Sequence, residues 1–227
     1  MITFKGGILN MRRNITWKSI ILVCIIGLFL TGCGAGSSKI LMKQGKYTPQ
    51  FRSGDYSHYK GKKLIIAGFT NQAGNTKAWS YNSADSKYMY EGDAQLESYY
   101  WSCFKKAFRH IGVNVVDYNY GGGPHPYGYH HGYGYGWGYG YDPGPEAARA
   151  AKGVPEFGMT LTSLTDQEFS FKVYLYKNGE TKLEKDFTVK MSAAGTDNAA
   201  DLEKRSYRLV DLAFTTIMKD KDFQRVF

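Results

Sequence analysis

The sequence predicts an α+β domain, a two-layer sandwich in the order β-α-β-β-β-α with two helices on one face of a largely antiparallel sheet. Three patterns carry that expectation. Apolar residues recur every three or four positions over 96–111 and again over 202–217. Short runs that are wholly apolar or alternate with period two lie around them. The pair Asn178-Gly179 separates two alternating runs, and both residue types accept the positive φ of a type I′ hairpin turn.

Taken in order, Lys63-Leu-Ile-Ile-Ala-Gly-Phe69 reads as a buried strand, and residues 70–92, rich in Asn, Ser, Gly and Lys, as a long loop. Leu96, Tyr99, Tyr100, Cys103, Phe104, Ala107, Phe108 and Ile111 then form one apolar helix stripe, with Asp93 as its expected N-cap and Gly112 as its stop. Cys103 falls inside that stripe, which assigns it to packing rather than nucleophilic chemistry. Lys105, Lys106 and Arg109 fall largely on the opposite, solvated face, and His110 closes the helix where positive charge is favourable. Residues 113–118 are a second strand and 157–164 a third. Phe169, Phe171, Val173 and Leu175 continue the sheet to the hairpin, and Leu183, Phe187, Val189 and Met191 return from it. Residues 199–218 form the second helix, with Leu202, Leu209, Val210, Ala213, Phe214 and Ile217 inward.

The N-terminal region has a different character. Arg12, Arg13 and Lys18 precede an almost wholly apolar run over 20–30, followed by Leu30-Thr31-Gly32-Cys33. A charged segment, an apolar core and a small-residue site make a secretory signal over 1–32, with Met11 the expected start. The apolar run is shorter than the ~20 residues of a membrane-spanning helix. Leu-Thr-Gly-Cys resembles the bacterial lipobox at all four positions, which implies that Cys33 becomes the lipidated first residue of the mature chain. Gly34 rather than Asp follows it. That choice points to the outer membrane, with the domain facing the periplasm. Residues 33–61 read as the lipidated cysteine plus a flexible tether, and 62–227 as the domain. Removing 1–32 takes Lys5, Arg12, Arg13 and Lys18 and no acid, so the formal charge falls from +9 to +5. The remaining basic residues are spread without a dense block, which argues against a nucleic-acid partner.

The lipobox, the order of elements, Phe157-Gly-Met-Thr-Leu-Thr-Ser-Leu-Thr165, the Asn178-Gly179 hairpin and the final helix through Leu212-Ala-Phe-Thr-Thr-Ile-Met-Lys-Asp-Lys-Asp-Phe223 together resemble the YajG-like bacterial lipoproteins. More distantly they are similar to transport-auxiliary and curli-secretion lipoproteins. The resemblance covers 62–118 and 155–227 and implies no catalytic residues. It implies an envelope accessory protein, either a structural interaction module or an auxiliary subunit of a lipid, polysaccharide or secretion machine.

One stretch departs from that family. Residues 119–142 alternate aromatics with glycine and hold His125, His130 and His131, in place of an expected short connection between the second and third strands. Without aliphatic residues the tract buries too little apolar surface to offset its ordering entropy. Three roles stay open. It is a tolerated low-complexity insertion; or Tyr133, Tyr135, Trp137, Tyr139 and Tyr141, sharing one side when extended, stack on peptidoglycan sugars or on neighbouring envelope proteins; or the three histidines bind Cu, Ni or Zn weakly. No other cofactor is expected. The chain has no phosphate loop, no Gly-x-Ser-x-Gly elbow and no His-Glu-x-x-His, so no enzyme class is indicated. Asp117 is the one carboxylate whose place at a strand end singles it out.

Overall fold

In the interior of the larger sheet is β2 (Lys63–Asn71), the apolar run expected as the first strand. The structure, a computed structural model, describes residues 37–116 and 153–227. β2 runs parallel to β6 (Asn114–Val116) on one side and to β7 (Glu156–Leu164) on the other. β8 (Glu168–Lys177) and β9 (Glu180–Lys190) follow antiparallel, giving the order β6-β2-β7-β8-β9. Between β8 and β9, Asn178 and Gly179 have φ of 54° and 78°, as the turn chemistry requires. Helix α1 (Leu96–His110) joins β2's side of the chain to β6, and α2 (Ala199–Lys219) with the short α3 (Lys221–Val226) closes the chain.

The two helices bury their predicted stripes against one face of this sheet. Phe157 on β7 is the hub. Its ring lies 5.9 Å from Phe104, 5.2 Å from Phe108, 5.8 Å from Phe69 and 6.1 Å from Phe223. Phe214 of α2 meets Phe104 and Phe108 of α1 at 5.7 and 4.9 Å. Rings at these separations add edge and offset attractions to their burial. Asn198 caps α2, its side chain accepting from the backbone N–H of Ala200 and Asp201.

The α+β class therefore stands, with three corrections of detail. The larger sheet is mixed rather than largely antiparallel, because β2 has parallel neighbours on both sides. For the five-stranded sheet and its helices the order β-α-β-β-β-α is one strand short, since the hairpin contributes two strands beyond β7. The connection from β6 to β7 is a parallel crossover, which needs a dozen or more residues, so no short connection joins those strands.

Two segments read as irregular are structured. Residues 70–92 contain β3 (Thr76–Lys77), β4 (Ser80–Asn82) and β5 (Tyr88–Gly92). With β1 (Ser38–Met42) they make a second sheet, β1-β5-β4-β3. Its inner side carries Ile40, Tyr90 and Tyr81 in register, all buried, and the two tyrosine rings stack 5.0 Å apart. The Tyr81 hydroxyl bonds Tyr100 of α1 and lies 3.5 Å from the Met42 sulfur, joining this sheet to the helical layer.

The second segment is the expected tether. Residues 38–61 fold onto the domain: β1 pairs with β5, and a 3-10 helix over Ser53–Tyr59 buries Tyr56 and Tyr59. The second compact unit starts at Ser37, so the described part of the expected tether belongs to the domain. The physical reason is that Ile40, Met42, Tyr47, Tyr56 and Tyr59 are buried by partners far along the chain, not by each other.

Candidate functional site

Cys33, the tract aromatics Tyr133, Tyr135, Trp137, Tyr139 and Tyr141, the histidines His125, His130 and His131, and Asp117 all lie outside the described residues. Among the described residues, the most elaborated polar arrangement is the strap over 43–52, which continues β1 and is bonded to both helices.

The strap follows a stripe on α2 made by Glu203, Tyr207, Asp211 and Phe214, spaced at helical intervals. The Tyr207 hydroxyl accepts from the Lys43 backbone N–H at 3.1 Å and donates to Glu203 Oε1 at 2.8 Å. Lys46 Nζ reaches Glu203 at 3.2 Å. The Tyr47 hydroxyl donates to Asp211 Oδ1 at 2.7 Å, and the Gln50 backbone N–H donates to Asp211 Oδ2 at 3.1 Å. Phe51 stacks on Phe214 at 5.2 Å and meets His110 edge-on at the same separation.

Helix α1 holds the other side. Lys106 Nζ donates to the carbonyls of Gln44, Gly45 and Tyr47 at 2.6, 3.0 and 3.2 Å. An ammonium has three protons, so these carbonyls use all of them. His110 Nε2 lies 3.0 Å from the Phe51 carbonyl. Lys106 is thus engaged by the strap rather than facing solvent, and Lys105 lies over the Trp101 ring at 4.9 Å. Asp93 does not cap α1. Gln95 occupies the N-cap position without a side-chain bond, while Asp93 Oδ1 accepts from the Gln44 backbone N–H at 3.1 Å.

Burial sets the electrostatics of this region. It holds the Asp211 carboxyl above its ordinary range, against the opposing pull of the Tyr47 and Gln50 bonds. Burial, and then the Asp211 charge, push the Tyr47 phenol well above its usual value. Cys103, fully buried one turn before Lys106 and Ala107, has its thiol raised by desolvation. The Asp211 carboxylate and the Lys106 ammonium therefore hold strap backbone, and the Tyr47 phenol holds Asp211. Sequence reading missed Tyr47, Asp211 and Lys106 as a set, because each is an ordinary residue until the fold brings them together.

Elsewhere, a shallow cleft of about 420 Å³ is lined by Lys62, Lys63, Lys177, Val154, Pro155 and Phe227. Among the described residues no group of three or more His, Cys, Asp or Glu could hold a metal ion, and no helix is long and apolar enough to cross a membrane.

No family model and no curated protein matches the chain. Among solved structures it is similar to the crystal structure of protein XCC0632 from Xanthomonas campestris, of family model DUF330. The TM-score is 0.44 at 10% identity, over 82% of this chain and 99% of that one.

Proposed function

We propose that the chain is a lipid-anchored bacterial envelope protein, attached through Cys33 to the outer membrane and acting as a structural or accessory interaction module in the periplasm. One observation carries this reading. Leu30-Thr31-Gly32-Cys33 follows directly on the apolar run over 20–30, and the folded unit begins at Ser37, close behind that cysteine. A lipoprotein signal places its cysteine in this position, between export signal and domain. The resemblance of 62–118 and 155–227 to YajG-like lipoproteins supports the same class.

The reading is tested with Cys33→Ala. The variant is expected to lack lipid by mass and to leave carbonate-washed membranes, while the parent stays with them. A Cys33→Ala protein that still pellets with washed membranes overturns it.

A further inference from the structure

We propose that the cleft between the start of β2 and the end of β8 binds the phosphate group of a phosphate monoester. Lys63 is the first residue of β2 and Lys177 the last of β8, and Lys62, Val154, Pro155 and Phe227 line the same cleft of about 420 Å³. That volume lies within the range of small-molecule sites, roughly 300–1,000 Å³. Hydrogen bonds fix the backbone around it. The Ile65 N–H donates to the Pro155 carbonyl at 2.9 Å, and the Gly153 N–H donates to the Asn178 side-chain oxygen at 3.0 Å. Two rings hold Lys62 Nζ, which lies 5.4 Å from the centre of Tyr59 and 5.5 Å from that of Phe227.

Charge selects the ligand. Elsewhere on β8 and β9, Lys172, Lys182, Lys185 and Lys190 each pair with a carboxylate. Lys62, Lys63 and Lys177 take part in none of the ion pairs among the described residues. Glu180, the register partner of Lys177, is held by Lys182. Glu156 follows Pro155, but burial alone shifts its carboxyl, so it is no partner of these ammonium groups. Three ammonium groups around one cleft without a counter-charge repel one another, and an anion between them removes that cost. A phosphate monoester carries about −1.5 to −2 charges at pH 7 and three acceptor oxygens, where a carboxylate carries a single charge. Lysine meets phosphate as a point charge and requires no fork geometry. Val154, Pro155 and Phe227 present carbon to the organic part of the ester. The cleft does not involve Cys33, so the lipid anchor and this site are tested apart.

The experiment is calorimetric titration of the purified protein in low-salt, phosphate-free buffer. The probes are inorganic phosphate, glycerol 3-phosphate and monomeric dihexanoyl phosphatidic acid, with glucuronate as the carboxylate control. Saturable binding of the phosphate probes is expected, with glucuronate at least about tenfold weaker. Equal binding of all three phosphate probes assigns a soluble phosphate; binding of phosphatidic acid alone assigns a lipid headgroup. In a Lys63→Gln/Lys177→Gln variant the affinity should fall at least about tenfold, the loss of one or more bonds to a charged group. Lys77→Gln removes an exposed lysine of β3 and should leave affinity unchanged. The substituted side chains lie at the surface, so each variant should keep the parent's melting transition. Three results overturn the proposal: no saturable heat with any phosphate probe at millimolar concentration, glucuronate binding as tightly as the phosphate probes, or an equal loss in Lys77→Gln, which marks an effect of net charge alone.

Discussion

The Tyr47 hydroxyl donates to the Asp211 carboxylate at 2.7 Å, across 164 residues of sequence. That bond ties the strap to the middle of α2, and Lys106 ties the same segment to α1. Tyr47→Phe leaves Asp211 with Gln50 as its remaining backbone donor in the strap. Losing a hydrogen bond to a carboxylate costs about 1.5–3 kcal/mol, and here the lower end applies because Gln50 stays. The expected result in urea unfolding is a lower midpoint at unchanged slope. Hydrogen exchange over 43–52 should quicken ahead of exchange in β7 and β8.

Asp211 also gives a pH dependence whose sign follows from its burial. Its carboxyl is raised in the folded protein, so the folded state binds the proton more tightly than the unfolded state. The stability this adds is fully present below the unfolded value, about 3.9, and is lost as pH rises through the folded value. Asp211→Asn cannot titrate. Lowering the pH from 7 towards 4 should therefore shift the unfolding free energy in favour of the parent relative to Asp211→Asn. Paired denaturation curves with no such shift would show that Asp211 titrates as an exposed acid.

Gly112 ends α1 with φ of +80°, and a Cβ there would come within 3.0 Å of the Lys60 side chain. Gly61 also has φ of +80° but has open space where a Cβ would stand. The two residues are joined by a 2.8 Å bond from Gly61 N–H to the Gly112 carbonyl. An alanine at either position costs about 1 kcal/mol from the left-handed backbone. Gly112→Ala should cost more than Gly61→Ala, by the displacement of Lys60. Thermal melts of the two single variants rank them.

Cys103 is the thiol to follow in the Cys33→Ala protein, since Cys24 lies in the expected signal. Its side chain is buried and its thiol is raised by desolvation. Both reduce the reactive thiolate. Labelling by an aromatic disulfide reagent is expected to be at least several thousandfold slower in the folded protein than in denaturant, matching an opening free energy of ~5 kcal/mol or more. Rapid labelling without denaturant would place Cys103 at an accessible surface.

What could be read from sequence follows the range of the interactions. The α1 stripe from Leu96 to Phe108, the α2 stripe from Leu202 to Ile217 and the Asn178-Gly179 turn are local patterns, and each is where it was expected. Ile40 and Met42 alternate with exposed Lys39 and Leu41, but a five-residue strand is too short to stand out. Its partner β5 lies about fifty residues away. Asp93 had the right type and place for an N-cap, yet the strap took its carboxylate. Lys106 looked solvated because three backbone carbonyls, its actual partners, have no sequence signature.

Deletion of 119–142 tests whether the Tyr/Gly/His tract contributes to stability. Val116 and Glu156 are both in register with Ile65, from opposite sides of β2. The chain leaves one and enters the other about two strand spacings, roughly 10 Å, away. It must also turn back to enter β7 parallel to β6. After the deletion, residues 117–118 and 143–155 remain, which extended span about 50 Å, enough for that return. Each halving of a loop lowers its closure cost by about 0.6 kcal/mol. The tract has no aliphatic side chain to give to the core. The melting transition of the deletion variant should therefore match or slightly exceed that of the parent. A fall of several degrees would mean that the aromatics of 119–142 pack on the domain, and would make the tract a structural part of it rather than an appended segment.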